Sequence, residues 1–97
     1  MQTEPDTIVV ENNEAAERFE ARVDGHLAVV EYLRSPGLIV YTHTEVPDAL
    51  EGRGIGSKLA RTVLDYARAE HLAVVPSCPF IRAYIARHPE YQDLVRR

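Results

Sequence analysis

The stretch Leu38–Val75, LIVYTHTEVPDALEGRGIGSKLARTVLDYARAEHLAVV, changes hydrophobic period twice in one continuous run. Leu38 to Val46 is dense in β-branched and aromatic residues and reads as a strand. Pro47 closes it. From Gly54 to about Glu70 the pattern is helical. Ile55, Leu59 and Val63, joined by Ala60, Leu64 and Ala67, form one apolar stripe. Ser57, Lys58, Arg61, Asp65 and Arg68 fall mostly elsewhere. Leu72 to Val75 is a short apolar run that fits a buried strand. Strand, helix, strand in that order predicts two parallel neighbours joined by a right-handed crossover.

Reading outward toward the N-terminus, Arg18–Val23 alternates polar and apolar strictly, as a half-buried strand does. Asp24-Gly25 follows, a strong signal for a two-residue hairpin turn. The return strand runs from about Leu27 to Leu33. Ser35-Pro36-Gly37 turns the chain again into Leu38. Ile8–Val10 supplies a first strand. Toward the C-terminus, Pro76 and Pro79 bracket Ser77 and Cys78. Proline suits a first helical turn, so a helix is expected from Pro79 through Ile81, Tyr84 and Ile85 to about Arg87. Pro89 prevents its continuation, and Tyr91–Val95 forms one more helical turn. The order β-β-β-β-α-β-α predicts an α+β domain, a mixed sheet with helices packed on it.

A chain of 97 residues is expected to form one domain over residues 1–97. Its net charge of −4 argues against broad nucleic-acid binding, which wants a basic face. It leaves room for a local basic pocket. No run approaches the length of a membrane span. The opening MQTEPDTIVV lacks the basic n-region and apolar core of a secretory leader. Cys78 is the only cysteine, which excludes an intrachain disulfide and fits a cytoplasmic, reducing location. No metal site is expected.

Three glycines, Gly52, Gly54 and Gly56, alternate at the mouth of the long helix. The first helical turn presents N–H groups without intrahelical partners, and the helix dipole adds partial positive charge there. Together they make an anion site. Glycine lets a phosphate approach the backbone closely. Arg53 and Lys58 can add charge, and Ser57 a hydroxyl. A tight turn or close helix packing would ask for the same glycines. The spacing is neither a P-loop nor the dinucleotide Gly-x-Gly-x-x-Gly.

At this point VPDALEGRGIGSKL, following a β-meander, resembles motif A of the GNAT superfamily of acetyl-CoA-dependent N-acetyltransferases. Gly54 and Gly56 match the motif, while Glu51 stands where arginine or glutamine is usual. THTEVPDALEGRGIGSKL together with VPSCPFIRAYIARHPEY resembles the minimal, stand-alone members of that superfamily, over roughly residues 8 to 95. The resemblance implies a GNAT-like fold whose βαβ unit binds acetyl-CoA as cosubstrate. It implies that Arg53, Gly54, Ile55, Gly56, Ser57 and Lys58 hold the pyrophosphate, and that Thr44, Glu45 and Val46 flank the pantetheine arm. The acetyl group would sit where this strand splays from its parallel neighbour.

Four residues are candidates for the chemistry. His43 and Glu45 are two apart on a strand, so both point to one face, about 6.5–7 Å apart. Either could accept a proton. A β-bulge here would alter that facing. Cys78 follows the second parallel strand and precedes a helix, a setting that favours a nucleophilic sulfur. Free cysteine is also commonly a small buried apolar residue. The resemblance gives Tyr84 the task of protonating the departing thiolate, while its spacing equally suits a core position. Arg87 and His88 complement the helix C-terminus or reach toward CoA. The implied function is acetyl transfer to an amine acceptor whose identity the sequence does not carry. The alternative is a CoA-binding module without catalysis. An interaction domain without ligand is a third reading.

Overall fold

Five strands form one sheet in the order in which the chain makes them. They are β1 (Val10–Asn13), β2 (Arg18–Val23), β3 (His26–Ser35), β4 (Leu38–Glu45) and β5 (Ala73–Pro76). This is a computed structural model, describing residues 8–96; residues 1–7, most of the stretch in which no leader is expected, lie outside the described residues. The first three joins are antiparallel. β4 and β5 are parallel, with Leu38 opposite Ala73 and Tyr41 opposite Pro76. Helix α1 (Ile55–Ala69) makes the crossover between them, and α2 (Pro79–Arg87) follows β5. The β-α-β reading of Leu38–Val75 therefore holds, as does the α+β class.

Asp24 and Gly25 both have positive φ, 51° and 80°. That is the backbone a two-residue hairpin needs to match the strand twist. The first strand lies further along than expected, at Val10–Asn13 rather than Ile8–Val10. Its outer half is polar and so gives no apolar signal. It is held instead by side chains: Tyr32 donates to Asn12 (2.6 Å) and Asn13 donates to Glu20 (3.1 Å).

The stripe of α1 is buried as its period requires, with Ile55, Leu59, Ala60, Val63, Leu64 and Ala67 all in the core. They pack with Phe19, Val30, Tyr32, Ile39 and Tyr41 from the sheet. Each isoleucine, leucine or valine among them contributes about 1.5–3 kcal/mol by leaving water. Ile81, Tyr84 and Ile85 of α2 join the same core. After α2 a 3-10 segment, Pro89–Leu94, is tied to α1 by Tyr91 donating to Asp65 (2.8 Å) and by Arg68 paired with Asp93 (3.0 Å). The chain then reaches β5, where Val95 bridges Val74 and the Arg96 N–H donates to Val74 O (2.9 Å). The expected helical turn thus ends in a short pairing at the sheet edge.

One irregularity shapes everything near the site. Glu31 lies opposite His43, but Tyr32 lies opposite Tyr41. Thr42 is therefore an extra residue in β4, a bulge, and its hydroxyl donates to Glu31 O (3.2 Å). A bulge bends its strand and increases the local twist. This one falls immediately after Tyr41, the last residue of β4 that pairs with β5.

Candidate functional site

The bulge decides which residues of β4 face the helices. Tyr41 is buried on the core side. Plain alternation from Tyr41 would carry His43 and Glu45 to that same side. With Thr42 inserted, Thr44 instead takes the core-side place, opposite Val30, while His43 and Glu45 sit opposite Glu31 and Val29 on the other face. His43 and Glu45 do share a face, as their spacing requires. Their side chains approach each other, Nε2 to Oε1, at 3.5 Å, and are 55% and 70% exposed.

Beyond Tyr41 and Pro76 the parallel ladder stops. The Cys78 N–H donates to Tyr41 O (2.9 Å) and closes the join. Residues 42–45 of β4 then run on with no strand partner on the β5 side among the described residues. Into this gap project two side chains from opposite walls, Thr44 from β4 and Cys78 from the start of α2, with Thr44 Oγ1 3.2 Å from Cys78 Sγ. Cys78 is the N-cap of α2, with extended backbone, and only 2% exposed.

Next to the gap lies a cleft of about 350 Å³ lined by Thr44, Val46, Leu50 and Glu51, by Gly52 to Ser57 without Arg53, and by Phe80. The helix mouth has the character the sequence suggested. Gly54 is the N-cap of α1 at φ 76°, and no side chain caps it. The first intrahelical bond runs from Lys58 N–H to Gly54 O (3.0 Å). The amides of Ile55, Gly56 and Ser57 thus precede the hydrogen-bonded turns and remain for a ligand. Gly52 also has positive φ, 80°. Gly56 serves a different need: a Cβ there would lie 2.9 Å from Phe80 Cζ. So glycine is required at 52 and 54 by backbone conformation and at 56 by close packing, and the same three keep the amides uncovered. The residues fit an anionic group such as a pyrophosphate.

Six of the eight residues expected at the cofactor line this cleft: Thr44, Val46, Gly54, Ile55, Gly56 and Ser57. Two do not. Arg53 turns to the β2–β3 hairpin and pairs with Asp24 at 2.8 Å, its side chain only 20% exposed. Lys58 is half-buried on α1 and outside the lining. The one charged side chain among the lining residues is Glu51, so what the lining offers an anion is backbone amides.

Tyr84 lies six residues past Cys78, about 9 Å further along the helix. Its ring is buried and stacked on His88, centroids 3.8 Å apart, and His88 Nδ1 lies 2.8 Å from Tyr84 O. Phe80 was not foreseen. It follows the helix-starting proline, stays partly exposed and forms a wall of the cleft.

Residues 18–94 match the family model described as GCN5-related N-acetyl-transferase. The chain is 34% identical over 93 residues to Protein NATD1 of Mus musculus, covering 92% of this chain and 84% of the relative. It is 34% identical over 93 residues to Protein NATD1 of Homo sapiens, covering 92% and 81%. The solution NMR structure of a GCN5-like protein from Staphylococcus aureus matches with a TM-score of 0.72 at 30% identity, over 91% of this chain and 87% of that one.

Proposed function

The chain belongs to the GCN5-related N-acetyltransferase family, and from that premise we propose that it transfers an acetyl group from acetyl-CoA to an amine. One observation carries the reading: the uncovered amides of Ile55, Gly56 and Ser57 open into the same cleft as Thr44, and Thr44 touches the only cysteine. The reading takes the helix mouth as the anion holder and the sulfur behind Thr44 as the nucleophile.

In this reading the three amides hold the pyrophosphate, aided by the helix dipole. Thr44 and Val46 flank the pantetheine arm, which brings an acetyl thioester to the gap between β4 and β5. Cys78 is the nucleophile. Its sulfur gives up a proton and bonds the acetyl carbon as the bond from that carbon to the CoA sulfur breaks. The CoA sulfur takes up a proton and leaves as thiol. The amine then forms its N–C bond as the Cys78 S–C bond breaks, and the proton it gives up restores the thiol. His43 and Glu45 serve on the amine's side. They stand on the sheet face opposite Thr44, where an acceptor can approach the gap without crossing the CoA channel. Their contact makes them a base pair for the ammonium proton.

The test is calorimetric titration with CoA and acetyl-CoA, then mass spectrometry after incubation with acetyl-CoA. The expected outcome is saturable binding of both, and one acetyl group on Cys78 that is released by a primary amine such as a lysine peptide. Absence of binding removes the function. Binding with turnover retained in Cys78→Ala removes the covalent route and leaves direct attack with His43 or Glu45 as base.

A further inference from the structure

Cys78 is not on the wall of the cleft. Thr44 is, and it stands between the cleft and the sulfur. We propose that Thr44 is the positioning residue of Cys78, its hydroxyl holding the sulfur in line with the channel through which the thioester arrives. The inference rests on the acetylation of Cys78 proposed above.

The contact is built from two independent sides. Thr44 is brought to the gap by the bulge at Thr42, which gives it the core-side place opposite Val30. Cys78 is fixed by its own backbone, its N–H donating to Tyr41 O (2.9 Å) and its C=O accepting from Arg82 N–H (3.0 Å). Neither backbone can slide to open the contact, so the side chains meet by construction. A threonine hydroxyl is both donor and acceptor. It accepts from the thiol S–H before the reaction and donates to the sulfur once the proton has gone. Donation to the charged form favours that form. As a β-branched residue threonine also has few χ1 choices, which keeps the hydroxyl on the sulfur instead of in the cleft.

The test separates hydroxyl from shape. Thr44→Ser keeps the hydroxyl; Thr44→Val keeps the shape and loses it; Thr44→Ala loses both and serves if valine disturbs folding. Because Cys78 is the only cysteine, its acetylation is read on one peptide by mass spectrometry, timed at saturating acetyl-CoA with the affinity for CoA measured beside it. The rate at saturation is expected to fall about three-fold or more in Thr44→Val and in Thr44→Ala and to be recovered in Thr44→Ser. An unchanged rate in both hydroxyl-free variants overturns the role of Thr44 and leaves the reaction standing. A slowed rate that Thr44→Ser does not recover assigns the loss to shape and overturns the role of the hydroxyl. A protein that never acquires an acetyl group on Cys78 overturns the reaction, and Thr44's part in it with it.

Discussion

At the scale of single residues, Gly56 and Phe80 are one feature seen from two helices. The ring of Phe80 occupies the space a Cβ on Gly56 would take, 2.9 Å away at Cζ. Phe80 is partly exposed and ends in the cleft, so it is the partner that must yield. Gly56→Ala should therefore fold but push the ring across the helix mouth, weakening CoA binding about tenfold, or 1.4 kcal/mol. Adding Phe80→Leu should restore most of it, and calorimetry on both proteins checks the pair. Equal affinity of Gly56→Ala and wild type would show that the ring does not guard the amides. Glu51 carries the opposite expectation. It is the charged side chain in a lining meant for a polyanion, so its carboxylate repels what the amides attract. Glu51→Gln should tighten CoA binding, most at low ionic strength where screening is weakest. Unchanged affinity at low salt would mean that the carboxylate faces away from the phosphates. The sequence announced that glycine mattered here and that Glu51 was unusual. It could not say which glycine answers to φ and which to a ring, because that ring lies more than twenty residues away.

At the scale of elements, the bulge in β4 is what parts the sheet. The parallel ladder ends at Tyr41, and Thr42 is the extra residue. Removing Thr42 leaves the facing of His43, Thr44 and Glu45 unchanged, because regular alternation from Tyr41 then gives the same sides. What it removes is the bend. The deletion variant should keep its circular dichroism yet lose CoA affinity by about tenfold or more, since β4 would close toward β5. Undiminished affinity in the folded deletion would detach the gap from the bulge. Helix α2 yields a second expectation. Tyr84 packs on His88 in the core, well along the helix from Cys78. Tyr84→Phe should therefore leave the acetyl-transfer rate within about twofold of wild type, whereas a large fall in rate at unchanged CoA affinity would make its hydroxyl the acid. Hydrophobic period placed β2, α1 and α2 nearly to the residue, because each buries one regular face. It missed the polar half of β1, which side-chain hydrogen bonds hold, and the pairing of Val95 with Val74. It also gave no sign of the partner of Arg53. A basic residue beside glycines suggests a phosphate, but a tertiary partner, Asp24, has a prior claim on it. Pairings of this kind, remote in sequence, leave no mark on local pattern.

At the scale of the whole molecule, charge and burial set the pH range over which the fold holds. Hydrogen bonding to Arg68 lowers the Asp93 carboxyl below its ordinary value, and hydrogen bonds from Arg18 and Asn13 lower that of Glu20. A lowered carboxyl stabilises the fold above its ordinary value and ceases to do so as pH falls through its folded value. At the other end, burial, with a hydrogen bond to Asp65 second, pushes the Tyr91 hydroxyl up to about 12 from an ordinary 10. Burial raises Tyr41 and Tyr32 as well. A raised hydroxyl stabilises the fold fully below the ordinary value and loses that contribution as pH rises toward the folded value. Stability should therefore be flat near neutrality, fall on the acid side through the carboxyls and fall steeply on the alkaline side through the tyrosines. Tyr91 allows the alkaline half to be isolated, because it ties the C-terminal segment to α1 through Asp65. Tyr91→Phe removes that hydrogen bond and should lower stability near neutral pH by about 1 kcal/mol. It also removes the group that titrates. The gap in urea midpoint between wild type and Tyr91→Phe should accordingly be widest below about pH 9 and close between about pH 10 and 12. Tyrosinate absorbance at 295 nm, followed in the same samples, should show the wild-type protein releasing this proton as the gap closes. A gap that stays constant to pH 12 would mean that the fold does not hold the Tyr91 hydroxyl protonated above its ordinary range.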